Sequence, residues 1–114
     1  MIERKEPRIK KNLIVSLSED GFEGLGMTDN ISRYGICVDV DKKIPVNAEI
    51  VLSLAVPGDI LKIKGEVIWC RASPDNEHNI DDEIGIRITE APPEYRAFVE
   101  YFQRTDVHPD ILAT

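Results

Sequence analysis

Cysteine, histidine and aromatic residues are all scarce in this chain. The two cysteines, Cys37 and Cys70, lie far apart in apolar runs with no Cys-x-x-Cys spacing. That excludes a disulfide framework and a zinc-ribbon arrangement, and both thiols read as small core residues of a reduced, cytoplasmic protein. The two histidines, His78 and His108, have no second ligand at metal spacing, so no metal site is expected. No apolar run approaches the roughly 18 residues a membrane helix needs. Charged residues follow Met1 almost at once, so neither a membrane span nor a secretory leader is expected. No carboxylate pair or Ser/His/Asp set carries a local signature, which argues against an enzyme and leaves no catalytic residue to name.

Charge is abundant, and it is unevenly spread. The formal net charge is −7, which excludes a general DNA or RNA binder whose affinity rests on neutralising phosphates. Yet residues 1–11 hold Arg4, Lys5, Arg8, Lys10 and Lys11 against only Glu3 and Glu6. Screening over about 8 Å at physiological salt lets a small anion beside this arm feel those cations and ignore the distant acids. A compact anionic ligand suits the pattern better than a long polyanion, although charge alone favours a solvated basic end.

With 114 residues the chain has the size of one domain and buries about 65% of its unfolded surface, enough for a core without staples. Its apolar residues alternate in short runs: Leu13, Val15 and Leu17; Ile36, Val38 and Val40; Ile50, Leu52 and Leu54; Leu61, Ile63, Val67 and Trp69; Ile84, Ile86 and Ile88. Period two marks half-buried strands, and Trp69 shares the phase of the core positions. A weaker strand, Phe22 to Thr28, carries Gly24 and Gly26, the sort of glycines that accompany a bulge. Turn signals at Glu19-Asp20-Gly21, Lys42 to Pro45, Pro57-Gly58-Asp59 and the polar stretch Ser73–Asp82 separate six strands, which points to an antiparallel barrel or sandwich. Ala91-Pro92-Pro93-Glu94 opens a helix in which Tyr95, Phe98, Val99 and Phe102 make one apolar stripe, suited to closing a barrel mouth.

Two motifs carry the functional signal. In Arg4-Lys5-Glu6-Pro7-Arg8, Pro7 keeps the segment extended, so Arg4 and Arg8 can bracket a ligand with planar forks suited to phosphate or to a guanine edge. In Asn30-Ile31-Ser32-Arg33-Tyr34-Gly35, Asn30 and Ser32 offer short polar groups facing outward, and Gly35 allows a positive φ or a close backbone approach. Either motif alone reads better as a chance spacing or a plain strand connection.

Taken together, in this order, they resemble the Arg-x-x-x-Arg and (Asp/Asn)-x-Ser-x-x-Gly signatures of the PilZ family of bacterial cyclic di-GMP receptors. The resemblance continues through Gly65-Glu66-Val67-Ile68-Trp69 and Gly85-Ile86 to the helix, covering about residues 3–104. It implies a mainly β fold, a six-stranded antiparallel β-barrel of split-barrel type with a C-terminal α-helix and a flexible basic N-terminal arm. The chain divides into three segments: the arm at 1–11, the barrel and helix at 12–104, and a tail at 105–114. Carried over by position, Arg4 and Arg8 hold guanine and phosphate, and Asn30, Ser32 and Gly35 receive a guanine from the barrel side. Lys5 and Arg71 stand beside them as extra contacts. The implied function is a non-enzymatic receptor that turns cyclic di-GMP binding into an altered contact with a downstream protein, as in motility, secretion or polysaccharide systems. The alternative is a module of the same fold that binds proteins without nucleotide.

Overall fold

In the computed structural model, residues 8–19, 22–41, 44–72 and 82–106 are described. Arg4, Lys5, His78, His108, most of the acidic loop and the tail beyond residue 106 lie outside them. The elements are β1 (Ile9–Lys10), β2 (Ile14–Glu19), β3 (Phe22–Ile31), β4 (Gly35–Val40), β5 (Glu49–Val56), β6 (Asp59–Ala72), β7 (Asp82–Glu90) and α1 (Pro93–Asp106). Six strands run in the order β3-β2-β5-β6-β7-β4, all antiparallel, and β4 pairs back onto β3 to close the barrel. Closure removes the free edges that an open sheet would expose. The two-residue β1 adds to the end of β3 through Ile9↔Ile31 and Lys10↔Asn30.

The alternating residues face inward as their period requires. Val15, Leu17, Ile36, Val38, Ile50, Leu52, Leu54, Ile63, Val67, Ile84 and Ile86 are all buried in one apolar core. Ile9 joins them, so the last residues of the basic segment are anchored to the barrel wall. Thr28 fastens the neighbouring stretch. Its buried hydroxyl donates to the Lys11 carbonyl at 2.6 Å and accepts the Leu13 N–H at 2.8 Å, satisfying backbone groups that no strand pairs.

Three strand irregularities shape the outer surface. In β3 the pairing with β4 slips between Thr28 and Asn30, leaving Asp29 as the extra residue; Gly24 and Gly26 lie in regular register. In β6 the pairing with β7 slips between Lys64 and Gly65 and again between Val67 and Trp69. The last slip corrects the expected place of Trp69. With Ile68 inserted, the phase reverses after Val67, and Trp69 emerges on the outer surface instead of entering the core. Cys70 is likewise exposed, whereas Cys37 is buried on the outer side of the wall.

Helix α1 lays Tyr95 and Val99 into the core, with Phe98 and Phe102 packed at its margin. Burial pushes the Tyr95 hydroxyl above its ordinary pKa, so it stays a donor, and it donates to the Ser32 carbonyl at 2.7 Å. Among the described residues no helix is long and apolar enough to cross a membrane. Tyr95→Phe leaves the Ser32 carbonyl without this donor in a buried place, and is expected to lower unfolding free energy by about 1–2 kcal/mol in urea titration.

Candidate functional site

The short connection between β3 and β4 is built by its own polar groups. The Ser32 N–H donates to the Gly35 carbonyl at 2.8 Å, and the Gly35 N–H donates back to the Ser32 hydroxyl at 3.2 Å. Ser32 is therefore buried, and its hydroxyl faces the turn it closes, a different place from the outward one its sequence suggests. Asn30 owes its outward direction to the Asp29 bulge. Thr28 and Ile31 both point into the core, and only the extra residue between them lets Asn30 face the surface.

Arg8 meets these residues from the other chain segment. Its Nε–H donates to Asn30 Oδ1 at 2.5 Å, and its Nη1 lies 3.4 Å from the Ser32 hydroxyl. A side chain at position 35 would begin 3.5 Å from Arg8 Nη1 and 3.2 Å from the Ile86 carbonyl. Gly35 thus serves the close approach to the Ile86 carbonyl, with the guanidinium at ordinary contact distance, and close approach, not a positive φ, is its role. Four motif residues, Arg8, Asn30, Ser32 and Gly35, come together within one patch at a barrel end.

Flanking residues fix the patch. Asn30 Nδ2 donates to Asp29 at 2.9 Å, and Lys10 pairs with the same carboxylate at 3.2 Å. Burial pushes the Asp29 carboxyl up, but the hydrogen bonds from Asn30 and Lys10 and the charge of Lys10 outweigh it, so the group titrates below its ordinary value. Helix α1 braces both contributing segments: Tyr95 holds Ser32, Glu100 pairs with Arg33 at 3.6 Å, and Lys11 lies over the Phe102 ring at 3.7 Å.

Arg71 stands apart from this cluster. It shares the outer face but is held by Glu83, with Nη2–Oε1 at 2.6 Å, and its guanidinium lies 5.4 Å from the Trp69 ring centre. Trp69 in turn rests on Gly85, where a Cβ would meet the indole at 2.2 Å. Beside them the ligand atoms of Asp29, Cys37 and Glu83 lie within 4.8 Å of one another. Burial, then the Glu83 carboxylate that accepts the thiol's hydrogen bond at 3.0 Å, pushes the Cys37 pKa up to about 12. Cys37 is thereby kept a protonated thiol and a poor nucleophile.

Motif spacing passed over Arg87. It is the Cα partner of both Gly35 and Glu66, which puts a second arginine beside the motif glycine. Alternation of Ile84, Ile86 and Ile88 already turned Arg87 outward; its neighbours, however, depend on strand register, which no local pattern states.

A family model described as PilZ domain matches residues 2–103. Among solved structures, the Bacillus subtilis inhibitor of motility, MotI/DgrA, superposes with a TM-score of 0.77 at 16% sequence identity. The match covers 95% of this chain and 53% of that one, so the present chain spans about half the length of its structural relative. No curated protein sequence matches. At this identity the likeness speaks for the fold alone. The thiols provide a direct check on the site's surroundings: a disulfide reagent at pH 8 is expected to modify the exposed Cys70 promptly and Cys37 only on unfolding, as counted by released chromophore.

Proposed function

Because this chain belongs to the PilZ family, whose members are receptor domains that typically bind cyclic di-GMP, we propose that it is a cyclic di-GMP receptor that alters a contact with another protein. The observation that carries the reading is the convergence of Arg8 with Asn30, Ser32 and Gly35 from two separate chain segments. A fixed guanidinium fork matches phosphate oxygens or the O6/N7 edge of guanine, and the Asn30 amide supplies a donor and an acceptor beside it. In this reading Ser32 holds the turn, Gly35 leaves room for the ligand, and Arg4 and Lys5 complete the grip from the preceding residues. Arg71 serves at the edge of the site, where Glu83 now holds it. No turnover is involved, and a cytoplasmic setting goes with the family.

The output follows from what the arm touches. A ligand that draws Arg4 and Lys5 over the patch, where Arg8 already lies, changes the surroundings of Lys11, which lies on Phe102 of α1, and so biases the helix face offered to a partner. The structural relative is named for inhibiting motility, which makes a motility component one candidate partner beside secretion and polysaccharide systems. The rival reading, a protein-binding module without nucleotide, draws on Ile14, Leu25 and Met27, which are exposed together on the outer face of β2 and β3.

Isothermal titration of cyclic di-GMP at physiological salt separates the two. Saturable binding is expected for the wild type, weakened about ten- to a hundredfold by Arg8→Ala, since one charged hydrogen-bonding group contributes about 1.5–3 kcal/mol. No binding by the wild type, confirmed by equilibrium dialysis, transfers the conclusion to the ligand-independent module.

A further inference from the structure

The outer face carries a row of four residues across four strands: Gly35 on β4, Arg87 on β7, Glu66 on β6 and Glu49 on β5, each the Cα partner of the next. Partners directly opposite in an antiparallel pair hold their Cβ positions about 4.5–5.5 Å apart. Arg87 therefore stands immediately beside the glycine over which the Arg8 guanidinium lies, with no side chain between them. At present Arg87 ion-pairs with Glu66. The Arg87 side chain is 56% exposed, so it has room to swing; the open depression of about 480 Å³ that it lines with Glu66, Glu49 and Lys64 lies on the side of the row away from Gly35.

We infer that Arg87 is a further ligand-binding residue of this site and that Glu66 is the counter-ion a bound anion must displace. The inference rests on the receptor reading above and gives it a second, oppositely placed cation. Arg8 and Arg87 flank Gly35, which suits a ligand bearing two separated anionic groups, such as a cyclic dinucleotide with two phosphodiesters, better than a mononucleotide. An exposed arginine–carboxylate pair contributes little stability, so exchanging the Glu66 carboxylate for a phosphate oxygen costs little. What opposes it is Glu49. When Arg87 turns to the ligand, Glu66 is left directly opposite a second carboxylate, a like-charge pair that the ion pair with Arg87 now offsets. Glu66 thus sets the affinity without touching the ligand.

The test is titration of cyclic di-GMP into wild type, Glu66→Gln, Arg87→Ala, Arg87→Lys and the Glu66→Gln/Arg87→Ala double variant, with melting temperatures taken alongside. Glu66→Gln is expected to tighten binding about three- to tenfold, and Arg87→Ala to weaken it by a similar factor. Arg87→Lys, which keeps the charge, retains part of the affinity. In the Arg87→Ala background Glu66→Gln gains nothing, a result that a merely structural ion pair would not give. Wild-type binding that is lost in Arg8→Ala but unchanged in Glu66→Gln and Arg87→Ala overturns this inference and leaves the receptor reading standing. Absence of wild-type binding overturns both.

Discussion

One inserted residue, Asp29, decides which side of the barrel wall the polar residues of the β3 end occupy. Thr28 and Ile31 must both face the core, Thr28 to hold the Lys11–Leu13 backbone and Ile31 to pair with Ile9. In an unbroken strand those positions point to opposite faces, because side chains alternate with period two. The bulge resolves the conflict and turns Asn30 out to meet Arg8. The slip at Ile68 acts likewise on the far side of β7, turning Trp69 outward over Gly85. Cross-strand partners then run Asn30, Cys37, Gly85, Trp69, so two bulges and the register between them compose the outer surface.

Helix α1 supplies the other constraint. Tyr95 fixes the turn that carries Ser32, and Phe102 meets Lys11 from the segment that carries Arg8. Both halves of the site thus lean on one element whose apolar stripe is sunk in the core. Residues that are to receive a ligand need a rigid support, and the buried Ile9 next to Arg8 supplies one on the arm side of the patch.

Much of this was legible in the residues. The alternation of Ile50, Leu52 and Leu54, or of Ile36, Val38 and Val40, named strands and their inner faces, and the spacing of Tyr95, Phe98, Val99 and Phe102 named the helix and its buried stripe. Arg8, Asn30, Ser32 and Gly35 announced themselves through two motifs and lie together. Trp69 and Cys70 were misplaced because their strand keeps its apolar phase in the sequence while the backbone slips by one residue. The buried Ser32 hydroxyl, shared between the turn and Arg8, answers to turn hydrogen bonding that residue type alone does not orient. Arg87 was hidden for a third reason: its relation to Gly35 is a pairing between strands far apart in the chain.

That same pairing bears on how the protein is made. Gly35 emerges from synthesis before Arg87, and the wall between them exists only once β7 has inserted beside β4 and shut the barrel. Contacts of such long sequence separation form slowly, and domains rich in them fold in about milliseconds to seconds. Until then the signature residues of the first third of the chain have no floor beneath them. A nascent or truncated chain carries both motifs in full and still lacks the surface they belong to.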